Sequence, residues 1–224
     1  MPAAAKKNKS ETTRALILET ALRLFRERGF EETTMRGIAE EAGVSLGNAY
    51  YYFRSKDEMV HAFYARLQEE QLYACEGILA TEKSLKSRIS GLIRAQLAMA
   101  TPYHRLFVSL FKIAADPQNS LNPFSVETKT IRDKCIARFA EVVIGADEKV
   151  SEDLTAELPQ LLWLYYMGIV LFWIYDRSPG YARTYRLLEM SCDMLSTLIQ
   201  MASLPLLIPL RKSVLKLLQS IKEI

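Results

Sequence analysis

Residues Gly43 to Lys56 read G-V-S-L-G-N-A-Y-Y-Y-F-R-S-K, placing three tyrosines and a phenylalanine in a row in a segment too short and too polar for a core strand. Helical spacing resolves the crowding. On a helix from Ser45 to Phe53, the residues Leu46, Ala49 and Phe53 fall at i, i+3 and i+7 and form one inward stripe. The other side carries Gly47, Asn48 and Tyr51, flanked by Tyr50 and Tyr52. Neighbouring helical residues point about 100° apart, so the three tyrosines cannot share one buried face. At least two of them are expected at the surface.

The flanking sequence supplies the frame. Ala15, Leu18, Ala21, Leu22 and Phe25 repeat at helical spacing and predict a first helix over about 10–28, with Gly29 as a left-handed stop. Thr34 is the natural N-cap of a barely two-turn helix, M35-R-G-I-A-E-E-A42, which Gly43 ends. Ser45 caps the next short helix, which Arg54 ends. Ser55, Asp57 and Glu58 open a longer one, with its acids where the helix dipole favours them. Two short helices joined through a glycine and buttressed by a longer one form a helix-turn-helix. Further helices are predicted over about 55–80, 83–101, 102–115, 124–145, 152–176, 180–203 and 206–222. Strand signals are nearly absent, so the fold class is all-α.

Charge points the same way. The chain of 224 residues carries a net +3, and residues 1–56 hold ten Lys/Arg against seven Asp/Glu, whereas the remainder holds nineteen of each. A positive excess confined to the N-terminal quarter suits a polyanion. The start, MPAAAKKNKSETTR, reads as a flexible basic arm, with Lys6, Lys7 and Lys9 either solvated or tracking DNA. In a helix-turn-helix the second helix enters the major groove of double-stranded DNA. Gly47 then permits close backbone approach, and Asn48 donates and accepts toward a base or phosphate. The tyrosines pack on sugar or a thymine methyl and bond phosphate oxygens. Lys56 meets a phosphate as a point charge, and Arg36 with the amides at the Thr34 helix start grips the opposite flank.

The run E32-T-T-M-R-G-I-A-E-E-A-G-V-S-L-G-N-A-Y-Y-Y-F-R-S-K-D-E-M59 resembles the DNA-binding domain of the tetracycline repressor (TetR) family of bacterial transcriptional regulators. The likeness covers about residues 12–60 and rests on helix lengths, the A-G-V-S turn, the G-x-x-Y-x-x-F run and the S-K-x-E step in order. It implies an arm and DNA-binding domain over 1–57 and a helical effector-binding and dimerisation domain over 58–224. It also implies DNA contacts at Thr34, Arg36, Ser45, Gly47, Asn48, Tyr50, Tyr51, Tyr52 and Lys56. Two positions depart from the usual pattern: Leu46 replaces a common polar or basic residue, and Ala49 a larger aliphatic.

Beyond residue 58, Leu154, Leu158, Leu161, Tyr165, Ile169 and Phe172 mark one face of the 152–176 helix, and Trp163, Tyr166, Val170 and Trp173 another. A helix apolar on two faces is buried on two sides. With Tyr185, Leu188, Cys192, Leu195 and Ile199 on the next helix, this predicts a four-helix interface in a homodimer, with Tyr165, Phe172, Tyr185, Leu188, Cys192 and Leu195 in contact and Gly168 permitting close approach. Tyr64, Tyr103, His104, Phe107, Phe111, Trp163 and Tyr166 are the candidate lining of a pocket for a small apolar or aromatic effector. The longest apolar run, Leu161 to Tyr175, falls short of the roughly 18 residues that span a bilayer, so no membrane partner is expected. Cys75, Cys135 and Cys192 are odd in number and far apart, as buried thiols of a cytoplasmic protein are. His61 and His104 have no ligand-spaced partners, and no nucleophile motif or phosphate loop is present. No metal, cofactor or enzymatic activity is therefore expected. A ligand-gated repressor and a DNA-binding regulator without a ligand both fit. A helical membrane or scaffold protein does not use the outward polar face of 47–52.

Overall fold

The apolar repeats fold as helices. The computed structural model describes residues 2–209, 211–213 and 216, and among them there are helices and turns but no strand. The α-helices are α1 (Pro2–Glu27), α2 (Met35–Glu41), α3 (Leu46–Tyr52), α4 (Lys56–Thr81), α5 (Leu85–Ala100), α6 (His104–Ala114), α7 (Lys129–Ile144), α8 (Glu152–Tyr175) and α9 (Ala182–Ala202). Short 3-10 turns at Thr101–Tyr103, Pro179–Tyr181 and Pro205–Leu207 separate some of them.

Three boundaries differ from the expected ones. Helix α1 continues through the stretch read as an arm, because Ala3 to Ala5 and the lysines are strong helix formers and Pro2 suits a first turn. Helix α7 begins at Lys129 rather than 124. In residues 116–128 the side chains of Asp116, Asn119 and Asn122 accept from the amides of Gln118, Leu121 and Phe124 at 2.8–2.9 Å, and the Thr128 hydroxyl donates to the Asn122 carbonyl at 2.7 Å. Such local bonds offer the backbone an alternative to the helix ladder. Of the helix expected over 206–222, residues 206 and 207 lie in the 3-10 turn, residues 208, 209, 211–213 and 216 are helical, and the rest lies outside the described residues.

The chain packs as two units, Met1–Glu69 with Ala100–Arg132 and Glu70–Met99 with Asp133–Ile224. Packing thus groups the helix-turn-helix with α6. In the first unit α1 buries Ile17, Leu18, Ala21, Leu22, Leu24 and Phe25, whereas Ala15 is exposed. Ile38 and Ala39 of α2, Ala49 of α3 and Met59, Val60 and Phe63 of α4 complete that core. Gly29 and Gly43 end α1 and α2 at φ 97° and 66°, the left-handed conformation only glycine adopts without strain.

The second unit buries Leu85, Ile89, Leu92, Ile93 and Leu97 of α5, Phe139 and Val142 of α7, Leu162, Trp163, Ile169 and Trp173 of α8, and Leu188, Cys192 and Ile199 of α9. Among the described residues, Arg88 and Asp176 are ionic groups buried inside it. The Arg88 guanidinium is 3% exposed and donates to the carbonyls of Leu79, Glu82, Glu141 and Val142 at 2.7–2.9 Å. It joins the C-terminal ends of α4 and α7, where helix dipoles present negative charge. Asp176, at the C-cap of α8, accepts from the amide and hydroxyl of both Ser178 and Thr184 at 2.7–2.9 Å. Burial alone would raise its carboxyl, but these four bonds outweigh it and hold the group well below the usual carboxylate range.

The folded value of Asp176 is depressed, so its stabilisation is complete above the unfolded carboxylate pKa of about 3.9 and fades as pH falls below it. Asp176→Asn is therefore expected to cost about 2–4 kcal/mol near neutrality, because a carboxamide cannot accept all four bonds. Urea midpoints of the two proteins should lie closer together at pH 3 than at pH 6. An equal gap at both values would remove the charge from the explanation.

Candidate nucleic-acid interface

The geometry around α3 is set by two caps. Thr34 Oγ1 accepts from the Gly37 amide and Ser45 Oγ from the Asn48 amide, each at 3.1 Å, so α2 and α3 start where the sequence predicts. Each hydroxyl accepts in its cap and keeps its own proton to donate outward. Both residues are exposed, as are Arg36 and Gly47, and Asn48 is half-buried. Ala49 and Phe53 are fully buried, with the Arg14 guanidinium 4.6 Å from the Phe53 ring centre. Leu46 is half-buried, consistent with the inward stripe.

The tyrosines divide two to one. Tyr50 and Tyr51 are 48% and 79% exposed. Tyr52 is half-buried; its hydroxyl donates to Ser10 Oγ of α1 at 3.3 Å and its ring meets Tyr51 edge-on, centroids 5.1 Å apart. Tyr52 thus braces α3 on α1. The Lys56 ammonium donates to the Phe30 carbonyl at 2.6 Å and lies 4.4 Å from the Phe30 ring centre. The first turn of α4 faces the bend after α1, and desolvation there lowers the lysine below its ordinary range.

Of the candidate effector residues, Tyr64, Tyr103 and Phe107 meet in the first unit. Phe63 lies 4.6 Å from Tyr103, 5.9 Å from Tyr64 and 6.1 Å from Phe107, and Tyr64 lies 6.0 Å from Phe107. His104 and Phe111 are half-buried on α6. Burial raises the Tyr64 hydroxyl, which stays neutral. In the second unit Trp163 is buried and Tyr166 lies 6.1 Å from Phe139. The sequence reading missed Arg66. It pairs with Glu19 of α1 and donates to the Tyr103 hydroxyl at 3.4 Å, while the Arg26 guanidinium sits 5.2 Å from the Tyr103 ring centre. Its signal in the sequence was a cation three residues after Phe63, in an otherwise apolar part of α4.

The expected dimer residues separate. Leu188 and Cys192 are fully buried within their own chain, which corrects their assignment to a surface. Tyr165 is half-buried, its hydroxyl 2.5 Å from Ser191 Oγ; Tyr185 lies under the Arg94 guanidinium, and Leu195 is half-buried. Gly168 and Phe172 are exposed. The apolar residues that α9 leaves exposed are Leu187, Met190, Met194, Leu198 and Met201, and those on α8 are Leu164, Leu171, Phe172 and Tyr175. Helix α8 is long and apolar enough to cross a membrane by length and composition, but Leu154, Leu158, Leu162, Trp163 and Trp173 are buried in its unit. Among the described residues no group of His, Cys, Asp and Glu has the arrangement of a metal site.

Comparison with known proteins converges on these elements. The family described as bacterial regulatory proteins, tetR family, matches residues 17–63, and the tetracyclin repressor-like C-terminal domain matches residues 88–214, more than half of the chain. The transcriptional regulator TtgR of Pseudomonas putida is 44% identical over 63 residues, 28% of this chain and 30% of that protein. The repressor KstR2 of Mycolicibacterium smegmatis is 30% identical over 114 residues, covering 50% of this chain and 55% of KstR2. The chain thus matches less than a third of TtgR and about half of KstR2. The structure of Thermus thermophilus FadR, a TetR-family repressor in complex with lauroyl-CoA, aligns with 78% of this chain and 92% of its own at TM-score 0.57 and 22% identity, a likeness of fold. With a capped helix-turn-helix in its first unit and family matches over both parts, the chain belongs to the tetR family of bacterial transcriptional regulators.

Proposed function

We propose that the protein is a cytoplasmic, homodimeric repressor that binds a near-palindromic operator and is released by a small apolar or aromatic effector. One observation carries the DNA-binding part. Helix α3 is anchored by Ala49 and Phe53 while Gly47, Asn48, Tyr50 and Tyr51 face away from the core. Thr34, Arg36 and Ser45 flank that face as phosphate contacts, and Tyr52 and Lys56 act by holding α3 and α4 in place. In a dimer two such helices enter successive major grooves about 34–36 Å apart. The exposed apolar rows of α8 and α9 are the surface for the second copy. Effector gating draws support from the Phe63, Tyr64, Tyr103 and Phe107 cluster, which Arg66 and Arg26 connect to α1 within the unit of the reading helix. An effector that tilts α4 with ~1–3 kcal/mol of coupling lowers operator affinity about 5- to 150-fold.

The reading face is tested with an operator selected from a random DNA pool. Asn48→Ala and Tyr50→Ala are each expected to weaken binding about 10- to 100-fold, the cost of a lost base or phosphate contact. Helicity and oligomeric state should not change. Unchanged affinity in both variants would show that another surface reads the DNA.

A further inference from the structure

Residues 1–14 hold Lys6, Lys7, Lys9 and Arg14 against one acid, Glu11, whereas the other 210 residues hold 25 Lys/Arg and 25 Asp/Glu. The whole net charge of +3 therefore sits on the first 14 residues. Their backbone is the start of α1, which runs unbroken from Pro2 to Glu27. Two contacts hold this part of the helix against α3. The Tyr52 hydroxyl donates to Ser10 Oγ at 3.3 Å, and the Arg14 guanidinium stands 4.6 Å from the Phe53 ring centre. The Tyr52 ring in turn meets Tyr51 of the outward face of α3, with 5.1 Å between centroids. The eight residues of α1 before Ser10 thus extend about 12 Å of helix from the edge of that face. Positions 6 and 7, four and three residues before Ser10, fall on its side of the helix by register.

We propose that the first two turns of α1 form a basic outrigger that grips phosphates flanking the half-site read by α3. This rests on the DNA-binding reading and extends it beyond the helix-turn-helix. With Arg14 offset by Glu11, the charge excess equals the three lysines. An ammonium on a flexible stem pairs with a phosphate as a point charge and positions the protein without reading sequence. The Ser10 bond ties this charge to the edge of the reading face, so duplex DNA is the polyanion that fits.

The test compares the full chain with the triple variant Lys6→Ala, Lys7→Ala, Lys9→Ala by fluorescence anisotropy. The probe is an operator selected from a random DNA pool, made with and without about one helical turn of flanking duplex at each end. Alanine favours a helix at least as well as lysine, so α1 persists in the variant. Each phosphate contact contributes about 0.9 to the slope of log affinity against log salt, so the slope should fall by about 2–3. At about 0.1 M salt the variant should bind the flanked operator at least about 10-fold more weakly, and it should gain nothing from the flanks. The ratio of affinities for operator and unrelated duplex should stay the same, because phosphates carry no sequence. An unchanged slope, or an equal gain from the flanks in both proteins, would overturn the outrigger while α3 remains the reading helix. A wild type that selects no sequence from the pool would remove the operator-binding reading as well.

Discussion

Arg88→Met is expected to lower the stability of the protein by about 4 kcal/mol, because four buried carbonyls lose a charged donor that nothing else replaces. Leu79 and Glu82 lie at the end of α4, Glu141 and Val142 at the end of α7, and one planar guanidinium serves all four. A lysine has a single ammonium and lacks the fork that spans two helix ends, so Arg88→Lys should recover less than half of the loss. Gly145 belongs to the same device. A Cβ there would stand 2.2 Å from Arg88 Nη2, and the four bonds prevent the guanidinium from moving aside. Gly145→Ala should therefore cost about 1–3 kcal/mol through overpacking. Urea unfolding decides the matter. A loss below about 1 kcal/mol in Arg88→Met would mean that the carbonyls find other donors.

Met194→Glu is expected to turn a dimer into monomers and to weaken operator binding at least about 100-fold, because one reading head then binds without the avidity of two. Met194 lies in the middle of the exposed apolar row of α9, between Met190 and Leu198. A twofold interface on this row buries one introduced carboxylate from each chain, without a partner cation on either apolar surface. In the monomer the residue is exposed, so folding stability should change by no more than about 0.5 kcal/mol. Analytical ultracentrifugation separates the outcomes. A variant that stays dimeric with full operator affinity would place the twofold contact elsewhere.

The helix-turn-helix was legible because its signals are local. Thr34 and Ser45 cap their helices by accepting from amides three residues ahead, and Gly29 and Gly43 supply the left-handed stops, all within one or two turns of chain. Faces set by distant partners were less so. Along α9 two apolar rows share the same period, one through Leu188, Cys192 and Ile199 and one through Leu187, Met190, Met194, Leu198 and Met201. Periodicity finds both rows, but only the packed unit shows which is inside. The bond of Lys56 was not legible for a similar reason: the Phe30 carbonyl that holds its ammonium lies 26 residues away in sequence. The start of α7 was misplaced because Asn119, Asn122 and Thr128 bond locally in a stretch whose apolar spacing also suits a helix.

Helix α3 has seven residues, too few to persist alone, so its shape comes from Ala49, Phe53 and the Tyr52 hydroxyl against the rest of the unit. Its remaining outward positions contribute little to folding. Gly47, Tyr50 and Tyr51 are therefore open to exchange, and a lineage can drift from one operator sequence to another by altering them without first acquiring a stabilising change elsewhere.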